Sequence, residues 1–259
     1  MEQIGTLEAI CRYPVKSMAG EEIAEAFIGY GGVLGDRVYG FIREGGMRGF
    51  PWHTAREQES LLQYRPRFRR SAAPALAEID FSLALGPGVN PVLPPVDAFD
   101  IEVVTPDSRV LPVRSAELAA ELQQRGGAAM TLQCSERSLA DCRPVSLFGN
   151  ATLRSLAAEL GRPIDRRRFR ANLYADWTGD RAFREDGLVG QTVQIGDKLR
   201  LAVLERDPRC KMITIDPDTG ETDPEIHRHV MRMHEGNAGV YAAVLREGVV
   251  RKGDPIYLG

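Results

Sequence analysis

The chemistry of this 259-residue chain is best sought first at one sulfur. Cys210 stands in RDPRCKMITIDPDTGE (206–221), after an apolar stretch, between basic residues, and ahead of a turn built from Asp, Pro, Thr and Gly. Cationic neighbours lower a thiol's pKa, and the thiolate so favoured is a soft ligand suited to transition metals. A free cysteine serves equally well as a small core hydrophobe, so residue types alone leave both roles open. If residues 209–215 are extended, Arg209 and Lys211 point away from the Cys210 sulfur. Arg206, or an arginine from a remote segment, is then the better group to tune it.

Four further segments set cationic and polar side chains beside backbone-shaping residues: YPVKS (13–17), GDR (35–37), HTARE (53–57) and RRRFRANL (166–173). A single Lys or Arg in a turn is usually only solvated. Together the segments suit a phosphate dianion, which needs several directed N–H donors and accepts the planar fork of arginine. Serine and threonine hydroxyls would fill the remaining acceptor sites.

The other candidates are weaker. Cys11 and Cys134 lie in apolar strand patterns; Cys142, in LADCRPVS, retains a possible role because an exposed cysteine can carry a persulfide. No CxxC pair is present, which argues against a zinc site or a dense disulfide scaffold and for free thiols in a reducing compartment. His227, His229 and His234 in PEIHRHVMRMHEG invite a metal reading. Residues i and i+2 diverge on a helix, however, whereas zinc helices use i, i+4, so a solvated helix is expected.

The elements that must position these groups are mostly short strands. TLEAICRYP, RVYGFIRE, DIEVVT, RVLPVR, MTLQCS, ANLYADW, KLRLAVLE, KMITID and VYAAVLREG are brief runs rich in Val, Ile, Leu and aromatics, separated by Gly- and Asp-rich turns. Three helices are expected: SAELAAELQQRGG capped by Ser115, GNATLRSLAAELG capped by Asn150, and DPEIHRHVMRMHEG capped by Asp223 with Pro224 at its first position. The Pro- and Gly-rich run Leu85–Asp97 reads as an exposed loop. Strands do not alternate with helices, and neither GxGxxG nor GxxxxGK[ST] occurs, which disfavours a nucleotide-binding α/β fold. The expected class is mainly β: closed or nearly closed β-barrels decorated with helices, α+β in its details. A boundary is expected near Ser115, giving parts 1–115 and 116–259.

These segments, in this order, resemble the MOSC (molybdenum cofactor sulfurase C-terminal) domain family. The layout is similar to its two-part members, which join an N-terminal MOSC-associated β-barrel to the MOSC β-barrel, as in the mitochondrial amidoxime-reducing component and its bacterial relatives. YPVKSMAGEE, GDRVYGFI and HTAREQ fit the first part; PVSLFGNATL, RRFRANL, DGLVGQTVQIGD, RCKMITIDPDTGE and VRKGDPIYL fit the second. The resemblance implies that Lys16, Ser17, Arg37, Arg170 and Asn172 surround the phosphate and pterin of molybdopterin, with Thr54 and Arg56 as neighbours. It implies that Cys210 is catalytic and supplies the thiolate ligand to molybdenum, while Asp216 and Asp218 shape the adjoining turn. The activity implied is two-electron reduction of small N-hydroxylated or N-oxide substrates; the alternative is a carrier of the cofactor or of a persulfide sulfur.

Asp207-Pro208-Arg209 is a more rigid and more charged lead-in to the cysteine than the amidoxime reducers have, so the rim facing substrate is expected to differ. The chain stops at PIYLG without a C-x4-C-x2-C cluster, and separate electron-donor proteins, of the ferredoxin or the cytochrome and flavin reductase type, are expected. A 43% hydrophobic share supports real cores. The formal charge of −3 argues against a nucleic-acid partner even though DRRRFR (165–170) is arginine-rich. No stretch reaches the roughly 20 apolar residues of a membrane span and the start lacks a signal pattern, so no membrane partner and a cytoplasmic location are expected.

Overall fold

The structure is a computed structural model that describes residues 1–69 and 99–259. The Leu85–Asp97 run lies outside the described residues. Among the described residues seventeen strands follow in chain order: β1 (Glu2–Arg12), β2 (Glu21–Ile23), β3 (Glu25–Gly29), β4 (Gly32–Val33), β5 (Tyr39–Met47), β6 (Phe50–Trp52), β7 (Arg65–Phe68), β8 (Ile101–Val104), β9 (Val110–Pro112), β10 (Met130–Cys134), β11 (Val145–Gly149), β12 (Leu173–Trp177), β13 (Thr192–Ile195), β14 (Leu199–Pro208), β15 (Asn237–Arg246), β16 (Gly248–Arg251) and β17 (Pro255–Leu258). The α-helices among the described residues are α1 (Ala116–Gly126), α2 (Asn150–Glu159) and α3 (Pro224–Met233).

Of the two β-barrels expected, the one in the second part is present as a closed ring among the described residues. Strands run in the order β12-β11-β15-β14-β13-β17-β1, and a further β1–β12 pairing closes the ring, with β2 paired to the outside of β1. All of these pairs are antiparallel except β11–β12. Closure leaves the ring no free edge. Its interior is aliphatic, with Ile4, Leu7, Ile10, Leu147, Leu173, Val193, Leu201, Val240 and Ile256 among the buried residues. Leu7 and Ile10 are three apart, which a regular strand would send to opposite faces. A bulge between Leu7 and Ala9 resets the phase and turns both inward.

Smaller sheets, β10-β5-β6, β16-β3-β4 and β7-β8-β9, accompany the barrel. A second core gathers Val15, Met18, Tyr39, Phe41, Leu61, Tyr64, Phe99, Val103, Leu118 and Leu122. The chain crosses the expected 115/116 division in both directions. β1 belongs to the barrel built from residues 145–258, whereas α1 buries Leu118 and Leu122 in the first part's core and β10 pairs with β5. A third core, with Phe148, Leu156, Phe169, Tyr174, Ile213, Ile226 and Val230, packs α2 and α3 on the barrel's outer side.

Two helix caps are as expected. Ser115 accepts from the Leu118 N–H, and Asp223 accepts from the Glu225 N–H with Pro224 opening the helix. The third differs: the N-cap of α2 is Gly149, and Asn150 instead donates to Asp176 at 2.9 Å. The buried carboxylate of Glu185 takes over the capping, accepting from the Gly149 N–H (2.9 Å), the Thr152 hydroxyl (2.8 Å) and Trp177 Nε1 (2.9 Å). A capping group supplied from 36 residues away leaves no local sequence signal. KMITID, expected as a strand, forms a 3-10 turn over Lys211–Thr214.

Candidate functional site

β14 delivers the chain to Cys210. Pro208 ends the strand, and the two residues around it are locked: Asp207 and Arg209 form an ion pair at 2.8 Å with both side chains buried. Arg209 also donates to Ala238 O (2.6 Å) and Phe169 O (2.8 Å) and lies over the Phe148 and Phe169 rings. It is a strut, spent on backbone and aromatic partners. Gly239, at φ +81°, makes room for it: a Cβ there would sit 2.8 Å from Phe148 Cδ2 and 3.1 Å from Arg209 Nη2.

Beyond Cys210 the 3-10 turn replaces the expected extended run, so the opposite-face argument for Arg209 and Lys211 does not apply. Lys211 donates to Glu59 Oε1 (2.7 Å) and Arg56 O (3.2 Å), tying the turn to the first part of the chain. Ile213 enters the third core and Ile215 the second, so the turn is nailed on both sides. Arg168 donates to Thr214 O and Asp216 Oδ2, each at 2.8 Å. Asp216 in turn accepts from the Asp218 and Thr219 N–H groups, both at 3.0 Å, and so shapes the turn. Arg206, expected to tune the thiol, pairs with Glu235 at 2.5 Å and does not line the cleft. Held in this way, Cys210 is exposed.

One cleft is lined by Cys210 together with Lys16, Ser17, Arg37, Thr54, Arg56, Arg170 and Asn172. The loops that bring them use strained backbone: Ser17, Arg37 and Arg170 have φ of 65°, 50° and 52°, a region that non-glycine residues seldom adopt. Such outliers cluster where the surrounding structure fixes a functional geometry. Lys16 is buried, its backbone N–H donates to Tyr39 O (2.8 Å), and its ammonium donates to Leu139 O (2.6 Å) and pairs with Asp141. Burial outweighs Asp141 and lowers its pKa. For Arg37 burial acts the same way, but the buried Asp36 carboxylate, Tyr13 and Asp141 together outweigh it and raise the pKa.

Arg170 has no acid of its own. Nη1 donates to Met18 O at 2.7 Å and the guanidinium lies 4.3 Å from the Tyr13 ring centroid, while Nη2 is buried without a partner. Burial, with Arg37 adding to it, pushes its pKa down to about 10. Thr54 pairs with Glu57 and receives Arg56 Nε at 3.3 Å; Arg56 stacks 4.5 Å from the Phe50 ring centroid. Asn172 is occupied structurally: its Oδ1 accepts from Ser146 N–H (3.3 Å) and hydroxyl (3.2 Å), and its Nδ2 donates to Cys11 O (3.3 Å). It pins the seam where β1, β11 and β12 meet.

The lining also holds residues that the sequence reading did not single out as cleft residues: Asp141, Arg168, Asp207 and Tyr241. Burial raises the pKa of Asp207, whose carboxylate is hydrogen-bonded by Tyr241. Cys142 joins Cys210 in the lining; burial and then Glu205, 3.7 Å from its sulfur, push its thiol up. The RRR run disperses: Arg166 pairs with Glu8 and Glu22, Arg167 with Asp165 and Asp218, and only Arg168 turns to the cleft. No spacing within an irregular segment foretells that division.

Residues 135–257 match the MOSC domain. Over 99% of its length the chain is 24% identical to mitochondrial amidoxime reducing component 2 of Rattus norvegicus, covering 84% of that protein. It is 26% identical to mitochondrial amidoxime-reducing component 1 of Mus musculus, covering 100% of this chain and 83% of that one. Among solved structures it is similar to the YUAD protein of Bacillus subtilis, with a TM-score of 0.48 and 13% identity over 97% of this chain and 93% of that chain. Among the described residues no helix is long and apolar enough to cross a membrane. Residues 135–257 thus match the MOSC domain, and over nearly its whole length the chain is similar to amidoxime-reducing components.

Proposed function

We propose that this protein binds the molybdenum cofactor in the Cys210 cleft and reduces N-hydroxylated or N-oxide substrates. The observation that carries the reading is the meeting, on one cleft, of an exposed thiol and a cationic wall that contains a buried arginine nitrogen with no acceptor. The donor set fits the group: Lys16, Ser17, Arg37 and Arg170 would hold its phosphate, and Thr54 and Arg56 would flank it. Asn172 would keep the supporting strands in register, and the Cys210 thiolate would be the protein's ligand to the metal. When bound, the cofactor supplies a two-electron centre able to accept a substrate oxygen.

The chain's own contribution is placement. Arg209 and Arg168 hold the turn so that the sulfur needs no rearrangement to bind, and the left-handed residues aim their donors before any anion arrives. Lys16 would exchange Asp141 for the phosphate. Electrons would come from separate donor proteins of the ferredoxin or the cytochrome and flavin reductase type, as the likeness to amidoxime-reducing components suggests. The alternative, a carrier of the cofactor or of a sulfane sulfur with Cys210 as the attachment point, uses the same exposed thiol; Cys142 is the poorer persulfide site, because burial and Glu205 oppose its thiolate.

The test is elemental analysis and pterin fluorescence of protein expressed with cofactor supply, followed by turnover of an amidoxime. Wild-type protein should hold molybdenum, and Cys210→Ser should keep its fold while losing turnover. Wild-type protein free of molybdenum and pterin would defeat the reading.

A further inference from the structure

Away from the cleft, two helices bring three side chains onto one point. Glu159 ends α2, His229 lies in α3, and His234 follows its last turn. The Nε2 atoms of His229 and His234 stand 2.6 Å and 2.7 Å from the same Glu159 Oε2, and the three potential ligand atoms all lie within 4.8 Å of one another. The i, i+2 argument was right about His227, which turns to Arg209 O at 3.0 Å. It missed the site because the carboxylate comes from another helix and because His234, at φ −128° and ψ 26°, has left the helical path.

The trio is supported from behind. The other carboxylate oxygen of Glu159 accepts from the Ser155 hydroxyl at 2.9 Å, the kind of outer contact that fixes a ligand's orientation. The His234 ring stacks on Phe183 with centroids 4.2 Å apart. Asp186, which interacts electrostatically with His234, keeps a buried Oδ1 without a hydrogen-bond partner. Its other oxygen is 4.0 Å from Arg206.

We propose that Glu159, His229 and His234 form a binding site for a divalent transition metal of the zinc type. Two imidazoles and a carboxylate suit such an ion, and three protein ligands leave a fourth position for water. A tetrahedral ion with ligands at 2.0–2.2 Å separates N from O by about 3.4 Å, so the present contacts open by less than ~1 Å on binding. Each imidazole then carries its single proton on Nδ1 and offers Nε2 to the ion. The metal cross-links α2 to α3, and α3 bears on the Cys210 turn through His227, so loading the site stiffens the element that presents the thiol.

The experiment titrates metal-stripped full-length protein with Co2+ and follows its absorption, with Zn2+ as competitor. One equivalent should bind with visible d–d bands and no sulfur-to-cobalt charge-transfer band, and Zn2+ should displace it. Glu159→Gln and His234→Ala, checked for native circular dichroism, should weaken binding by at least about 100-fold, since loss of an outer partner alone costs 10–100-fold. A titration with no saturable binding would overturn the proposal. So would a sulfur-type band that Cys210→Ser abolishes and Glu159→Gln and His234→Ala leave unchanged.

Discussion

Arg170→Met should stabilise the cofactor-free protein while destroying its affinity for anions. Burial and the neighbouring Arg37 bring the guanidinium from the ordinary arginine range down to about 10 in the folded state. At 1.36 kcal/mol per pKa unit this is a cost of ~3 kcal/mol to the charged form. Part of the side chain reaches the cleft, where solvent recovers some of that cost. The cation's folded pKa is depressed, so the cost is fully present at neutral pH and disappears only as pH rises above about 10. Against it stand the bond to Met18 O, about 1 kcal/mol, and the Tyr13 ring contact, also about 1 kcal/mol. Methionine fills the space and bears the same backbone strain at φ 52°. The balance is a gain of ~1 kcal/mol, or a rise in Tm of ~2–4 °C for a chain of this size. Urea unfolding at pH 7.5 in phosphate-free buffer measures it. Added inorganic phosphate should then raise the midpoint of the wild type and leave the variant unmoved. A loss of more than ~1 kcal/mol in the variant, or an equal phosphate response in both proteins, would refute the view that this arginine waits for an anion.

Two further outcomes concern the thiols. Arg168→Met removes the two bonds that hold Thr214 O and Asp216, so iodoacetamide should modify Cys210 several-fold faster and amide exchange over residues 211–222 should accelerate; unchanged rates would mean that the two cores alone fix the turn. Burial pushes the Cys11 thiol up to about 11, so at pH 8 only ~0.001 of it is thiolate. Mass spectrometry should therefore find Cys11 alkylated last of the four cysteines, and equal labelling would contradict its burial. Because the folded thiol's pKa is raised, its contribution to stability is complete below pH 9 and falls away as pH climbs through 11.

What could be read from the sequence was whatever rests on neighbours in the chain. The Ser115 and Asp223 caps and the Val- and Ile-rich strands belong to this class, because a few adjacent residues determine them. The cationic segments could be nominated one by one, and their order carried the family resemblance; that they line a common cleft is a tertiary fact. What stayed hidden depends on distant partners. The Glu185 carboxylate displaces Asn150 as the cap of α2, Asp141 answers Lys16, and Ile213 and Ile215 pull KMITID into two cores so that it coils rather than extends. Arg209, expected only to point away from the Cys210 sulfur, is a buried strut, because Asp207, two carbonyls and two aromatic rings receive it.

The strand that shuts the barrel, β1, finds its barrel partners far away in sequence. Gly5 pairs with Trp177 and Glu2 with Leu258, so the first half of β1 has no barrel partner until residues 173–258 have been made. Such distant pairing delays assembly, since the entropy of closing the loop is lost before any contact rewards it. A nascent or C-terminally clipped chain would therefore hold an open sheet whose bare edges invite aggregation.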